Sequence, residues 1–162
     1  MRQCSIALLG VLALALILGG RTRDRIVVRV IDGDTIELDR GERVRLIGVD
    51  APESVDRRKP VQCFSRESAA FLRKLLKGKP VRLRYGDIRK DRYGRTLAYV
   101  FLKDGTHANE MLVQEGYAFA YVKYPFSFQD DFVRLERQAR SSRKGLWGTK
   151  CLDELPSAAH EN

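Results

Sequence analysis

The feature that most constrains the fold is a run of three short, β-branched segments between residues 25 and 49. We predict strands at Arg25–Ile31, Thr35–Leu38 and Arg43–Val49, separated by the turn signals Asp32-Gly33 and Arg40-Gly41. A crossover between parallel strands needs about a dozen residues or more. These connections are far shorter, so the strands are expected to pair with turns, and a parallel α/β sheet is disfavoured.

Further elements follow along the chain. The predicted strands are Pro80–Tyr85 and Thr96–Leu102, and the predicted helices are Ser65–Leu76, His107–Glu115 and a segment from about Ser127 to Gly145, with residues 88–94 as a basic loop. Ser65 is expected to cap the first helix, and Ser127 with Asp130 to form a capping box on the third. Five short strands with helices inserted and appended predict an α+β fold, a five-stranded barrel of the OB type with three α-helices.

The first twenty residues differ from the rest. Arg2 precedes an apolar run from Ile6 to Leu18, followed by Gly19 and Gly20. As a helix this run would rise about 20 Å, short of a hydrocarbon core of about 30 Å. The pattern is typical of a secretory signal peptide. A membrane anchor that is not cleaved stays open, because the run lacks a well-placed cleavage site and Arg21 follows it at once. We expect an exported protein, periplasmic or secreted, or one anchored at its N-terminus.

The predicted organisation is a processing or anchor segment at 1–20, one domain at 25–150 and a polar tail at 151–162. Export permits a disulfide, and we predict one between Cys63 and Cys151, with two free thiols as the alternative. The formal net charge of +9 suits a polyanionic partner, such as nucleic acid, an acidic glycan or an anionic membrane face.

Within this basic chain, two aspartates flank neighbouring predicted strands. Asp34 precedes the second strand and Asp50 follows the third, so pairing of these strands would bring the two carboxylates close together. Their repulsion would be relieved by a divalent cation, and hard oxygen ligands favour Ca²⁺ or Mg²⁺ over zinc. Pro52 stiffens the backbone after Ala51, whose carbonyl is a candidate third ligand. Aspartates next to Gly and Pro are also ordinary turn formers, which is the alternative.

Two arginines and a glutamate extend this candidate site. Arg45 lies on the third strand and Arg95 begins the fifth. Guanidinium groups bind phosphate oxygens in a bidentate manner and can neutralise the charge of a five-coordinate phosphorus. Glu53, three residues after Asp50, is placed to act as general base on a water molecule. A solvated basic face is the alternative interpretation of the arginines.

Three motifs closely resemble the staphylococcal nuclease (thermonuclease) family. They are V-I-D-G-D-T (Val30–Thr35), V-R-L-I-G-V-D-A-P-E (Val44–Glu53) and D-R-Y-G-R-T-L-A-Y-V (Asp91–Val100). The resemblance continues through Ala108–Ala118, Ala120–Val122 and Lys144–Trp147, and covers about residues 26–148 in order. Each motif alone would be weak, but three in the right order make a chance match very improbable.

The resemblance implies an OB barrel with three helices and a Ca²⁺-dependent nuclease. By motif position it implies that Asp34, Asp50 and the Ala51 carbonyl bind Ca²⁺, that Arg45, Glu53 and Arg95 are catalytic, and that Arg92, Tyr93, Tyr121 and Lys123 contact substrate. Lys123 departs from the family pattern, which has an aromatic residue there, with Tyr124 shifted by one position. The resemblance therefore implies phosphate binding more directly than base stacking.

The resemblance implies hydrolysis of DNA and RNA at the 5′ P–O bond to give 3′-phosphate products, and little sequence preference is expected because phosphate contacts carry no base information. We expect single-stranded or locally opened substrate and a monomeric enzyme. The alternative is a non-catalytic OB module that binds single strands. A pure binder has no reason to place Asp34, Asp50 and Glu53 where they repel phosphate, and this acidic trio favours the enzyme.

Overall fold

The computed structural model describes residues 24–53, 62–148 and 151. Two predictions lie outside these residues, the signal peptide or anchor at 1–20 and the tail after Cys151.

In chain order, the strands and helices are β1 (Arg25–Val30), β2 (Thr35–Leu38), β3 (Arg43–Leu46), β4 (Val49–Asp50), α1 (Ser65–Leu76), β5 (Pro80–Lys90), β6 (Thr96–Leu102), α2 (Ala108–Gln114), β7 (Phe119–Ala120) and α3 (Gln129–Ser141). Short 3₁₀ turns lie at Asp39–Gly41 and Gly145–Trp147. The predicted fold is confirmed, with five strands in a barrel and three α-helices.

The barrel closes in the order β1-β2-β3-β6-β5, with β5 returning to β1. Its antiparallel pairs are β1–β2, β2–β3, β5–β6 and β1–β5. Strand β3 pairs with β6 in parallel, with Arg45 opposite Leu97. This pairing places the third and fifth predicted strands side by side, although about fifty residues separate them in the sequence.

Alternating side chains build the barrel interior. On β5, Val81 and Leu83 are buried while Arg82 and Arg84 are exposed, as the period-two pattern predicts. The interior joins the apolar faces of the helices in one core, which includes Ile36, Val44, Leu46, Leu72, Leu112 and Phe132. The candidate site residues Asp34 and Arg95 directly precede β2 and β6, and Arg45 lies on β3.

Several predicted boundaries are wrong, and each error has a local cause. Strand β3 ends at Leu46 instead of Val49, because Gly48 adopts φ +73 and redirects the chain into β4. Strand β4 then pairs with β7, outside the barrel. Strand β5 continues to Lys90, into the first three residues of the predicted basic loop, because Lys90 pairs with Thr96 of β6 beyond an irregular register.

The predicted helix caps are also wrong. Residue Phe64, in a left-handed conformation, precedes α1, and Ser65 is its first helical residue. Phe128 precedes α3, and no side chain caps either helix. In both places an aromatic residue that packs against the core occupies the capping position, so tertiary packing overrides the local preference of serine for a cap.

The predicted disulfide is present, because Cys63 is bonded to Cys151. It ties the start of α1 to the segment after the 3₁₀ turn at Gly145–Trp147. Among the described residues, no helix is long and apolar enough to cross a membrane.

Candidate active site

The two aspartates meet on one arginine. In the β2–β3 pair, Thr35 lies opposite Arg45, which places Asp34 beside that side chain. Arg45 Nη1 lies 3.0 Å from Asp34 Oδ2, and its Nη2 donates to Asp50 Oδ1 at 3.0 Å. Nη1 also donates to the Val49 carbonyl at 2.6 Å. The predicted meeting of the two carboxylates is therefore present, and the Arg45 guanidinium bridges them.

The carboxylate of Asp34 is buried, with a 7% exposed residue surface. The Thr35 hydroxyl donates to its Oδ1 at 2.9 Å, and the Ala51 N–H donates to its Oδ2 at 2.9 Å. Burial raises the pKa of Asp34 to about 7, although the Arg45 charge opposes this rise. Asp50 differs, because half of its side chain is exposed. The pair thus has one inner and one outer carboxylate.

Close backbone packing brings the two acidic loops together. A Cβ on Gly33 would lie 2.1 Å from Ser68 Oγ and 2.5 Å from the Ala51 Cβ. Only a glycine fits between the loop that carries Asp34, the loop that carries Asp50 and helix α1. The glycine of the V-I-D-G-D-T motif is therefore required by this contact rather than by an unusual backbone conformation.

Arg95 reaches the same corner from the β5–β6 hairpin. Its Nε donates to Asp91 Oδ2 at 2.7 Å, and its Nη1 donates to the Thr35 hydroxyl at 3.4 Å. Asp91 also accepts the backbone N–H groups of Tyr93 and Arg95. Burial opposes ionisation of Asp91, but the Arg95 side chain and these N–H groups prevail and lower its pKa. Thr35 links the second arginine to the Asp34 carboxylate.

Glu53 follows at the end of the Asp50 loop and is half-buried. Its N–H donates to Gln62 Oε1 at 2.7 Å, and its carbonyl accepts the Gln62 N–H at 3.0 Å. The backbone of Glu53, three residues after Asp50, is thus fixed to Gln62.

The predicted substrate contacts occupy two places. Tyr93 is 67% exposed, and the guanidinium carbons of Arg92 and Arg95 lie 4.8 and 5.5 Å from its ring centroid. Tyr121 follows β7, and its N–H donates to the Gly48 carbonyl. Its ring lies 6.2 Å from that of Tyr124, and Lys123 Nζ lies 5.9 Å from the Tyr124 ring. In the described part of the chain, Tyr121 and Lys123 lie outside the hydrogen-bonded Asp34–Arg45 cluster.

The donor set has the chemistry of a hard-cation site. It would consist of the Asp34 and Asp50 carboxylates, both in contact with Arg45, and the Ala51 carbonyl, while the Ala51 N–H donates to Asp34 Oδ2. Calcium and magnesium take such oxygen ligands, including backbone carbonyls. Within residues 24–53, 62–148 and 151, no group of three or more His, Cys, Asp or Glu side chains gathers as a metal site. The fit therefore depends on two carboxylates and one backbone group.

Three residues that support the site were not predicted from the sequence. Asp91 holds Arg95, Thr35 joins Arg95 to Asp34, and Gln62 holds Glu53. The Asp91-x-x-x-Arg95 spacing and the turn at Gly94 were a usable signal for the first of them. Gln62 carried no signal, because it lies in no predicted strand, helix or motif and its contact partner is nine positions away.

The chain is similar to a known protein family and to several bacterial proteins. The family model described as "Staphylococcal nuclease homologue" matches residues 43–149. A protein of Staphylococcus hyicus named "Thermonuclease" is 42% identical over 75% of this chain and 73% of its own. A "Thermonuclease" of Staphylococcus intermedius is 41% identical, over 78% of this chain and 77% of its own. An "Uncharacterized endonuclease" of Escherichia coli O157:H7 is 37% identical, over 75% of this chain and 74% of its own.

Proposed function

The chain belongs to the staphylococcal nuclease homologue family, and we propose that this nuclease uses Ca²⁺ to hydrolyse the 5′ P–O bond of DNA and RNA. The products are 3′-phosphates, and sequence preference is weak because phosphate contacts carry no base information. The observation that carries the proposal is the bridge by which Arg45 holds Asp34 and Asp50 together, with Arg95 linked to the same corner through Thr35.

The cation site consists of Asp34, Asp50 and the Ala51 carbonyl. Bound there, Ca²⁺ supplies Lewis-acid stabilisation of charge on a phosphoryl oxygen. The support for this assignment is the oxygen donor set, in which two carboxylates lie close enough together to contact the same Arg45 guanidinium.

Three side chains of the protein carry the other catalytic roles in this proposal. Glu53 accepts the proton of the attacking water, a role worth about 10²–10⁴-fold in rate. Arg45 and Arg95 hold the phosphate and stabilise the charge that grows in the transition state. A phosphate competes with Asp34 and Asp50 for the Nη groups of Arg45, whereas among the described residues the Nη1 of Arg95 makes a long hydrogen bond of 3.4 Å to Thr35.

Substrate binding is assigned to the exposed residues around this corner. Tyr93 and Arg92 lie on the hairpin next to Arg95 and would contact a neighbouring phosphate. Tyr121 and Lys123, with Tyr124, form a platform on the segment after β7. Aromatic rings beside cations favour a single strand, whose bases are free to stack.

We also propose export, with the mature protein in the periplasm, outside the cell or anchored at its N-terminus. Support comes from the charged start and short apolar run of residues 1–20. The Cys63–Cys151 disulfide adds support, because such bonds persist in oxidising compartments. The protein acts as a monomer in this proposal.

One digestion experiment tests the proposed activity. Plasmid DNA and RNA are incubated with the purified protein in Ca²⁺, in Mg²⁺ or in chelator, and the product ends are identified. We expect hydrolysis to 3′-phosphates with Ca²⁺ and none with chelator. Full activity in chelator would contradict the cation site, and binding without hydrolysis in every condition would leave the non-catalytic binding module.

The residue roles need two variants. Glu53→Gln is expected to lower kcat by at least about 10²-fold with little change in KM. Arg95→Lys is also expected to lower kcat strongly, because an ammonium group cannot reproduce the planar fork of the guanidinium. An unchanged kcat in either variant would remove that residue from the mechanism.

A further inference from the structure

Gln62 grips the backbone of Glu53 at two points. The Glu53 N–H donates to the Gln62 side-chain Oε1 at 2.7 Å, and the Gln62 N–H donates to the Glu53 carbonyl at 3.0 Å. Both peptide groups of Glu53 are therefore fixed to one residue. The direction of the Glu53 Cα–Cβ bond depends on the orientation of these peptide groups. The two hydrogen bonds to Gln62 therefore fix the point from which the Glu53 side chain extends.

Gln62 is itself well anchored. Its carbonyl accepts the N–H of Ser65, the first residue of α1. Its neighbour Cys63 is bonded to Cys151, and the next residue, Phe64, packs its ring 5.4 Å from that of Tyr117. The anchor therefore joins Glu53 to a helix, a disulfide and the aromatic packing of the core.

We propose that Gln62 is a positioning residue for Glu53, acting through the Glu53 backbone and not through the substrate. This inference rests on the proposed function, in which Glu53 is the general base. A base must lie within hydrogen-bond reach of the proton that it removes. A displacement of about 1 Å can cost as much as 10²-fold in rate. Without the grip, the carboxylate samples positions from which it cannot reach the water molecule.

The test removes the side-chain half of the grip and leaves the chain length unchanged. Gln62 is exposed, so Gln62→Met is expected to fold with an unchanged free energy of unfolding. We expect kcat to fall by about 10-fold to 100-fold, with KM for a DNA oligonucleotide within about twofold of wild type. Gln138→Met, at an exposed position on α3, is the matched control and is expected to match wild type.

A double-mutant cycle separates positioning from a merely structural role. In a Glu53→Gln background the base is already absent, so adding Gln62→Met is expected to lower the residual rate no further. If Gln62→Met lowers the rate by the same factor in both backgrounds, it acts independently of Glu53 and the proposal is wrong. An unchanged kcat in Gln62→Met, alongside a lowered kcat in Glu53→Gln, would also overturn it.

Amide hydrogen exchange tests the grip without metal or substrate. In the metal-free protein, we expect the Glu53 amide to exchange faster in Gln62→Met by a factor on the order of ten. Gln62→Glu keeps an acceptor oxygen at the same reach and is expected to keep the protection. Equal exchange in wild type and Gln62→Met would show that the side chain does not hold this amide. This measurement remains decisive even if the wild-type protein hydrolyses nothing, a result that would instead overturn the proposed function.

Discussion

The Cys63–Cys151 disulfide allows a prediction whose size follows from the length of chain that it closes. The two residues are 88 positions apart. In the chain-entropy treatment, a loop of this length removes about 15 cal/mol/K from the unfolded state, which is about 4.6 kcal/mol at 25 °C. Native disulfides in small exported domains typically contribute about 2–5 kcal/mol. We expect removal of this bond to cost an amount in the upper half of that range.

The perturbation is the double variant Cys63→Ala and Cys151→Ala, compared with wild type in urea. Domains of this size have a free energy of unfolding of about 5–15 kcal/mol, so the loss would be a large fraction of the total. At about 3 °C per kcal/mol, the midpoint of thermal unfolding would fall by roughly 10–15 °C. Reductant is the control, because it should destabilise wild type and leave the double variant unchanged.

The intact mass under non-reducing conditions establishes that the wild-type bond is formed before the comparison is made. With the bond present, a difference below about 1 kcal/mol between the two proteins would refute the loop-entropy reasoning. It would mean that the unfolded chain is already compact between α1 and Cys151, so that closing the loop restricts it little.

Two further predictions concern the acidic pair. Gly33→Ala is expected to lower the free energy of unfolding by about 1–3 kcal/mol, because the added Cβ would clash with Ser68 and Ala51. Urea unfolding that matches wild type would contradict this and would show that the two loops move apart without cost. In the metal-free protein, burial raises the pKa of Asp34 to about 7, above its unfolded value of about 3.9, so its contribution to stability is lost as pH rises from about 4 to 7. The stability of Asp34→Asn relative to wild type should rise over the same range, and a constant difference would contradict this.

The sequence predicted the meeting of Asp34 and Asp50 better than it predicted the ends of the strands and helices. Asp34 and Asp50 could be brought together because each flanks one of two strands joined by a short turn, and pairing of those strands is a local event. The cap predictions failed at Ser65 and Ser127, where the packing of neighbouring aromatic residues decides the backbone. Local propensity is a weak constraint compared with burial of such rings.

Two features that depend on contacts between separate parts of the chain could not be predicted for a different reason. The contact between Glu53 and Gln62 joins residues nine positions apart, and the sequence between them has no periodic pattern that predicts a strand or a helix. The extension of β5 to Lys90 depends on its partner β6 across a hairpin that contains Gly86, which locally indicates a break. Such features arise only when distant parts of the chain are placed together.

The parallel pairing of β3 with β6 has a consequence for how activity arises during folding. It joins Val44–Leu46 to Thr96–Ala98, and Arg45 and Arg95 lie on or beside these two strands. A fragment that stops before residue 95 can form the β1–β2 and β2–β3 hairpins and the acidic pair, but it lacks Arg95 and the strand β6 with which β3 pairs. Non-local pairings of this kind form late and slowly. Hydrolysis would therefore begin only when the barrel closes, and the onset of activity in a refolding experiment would time that single event.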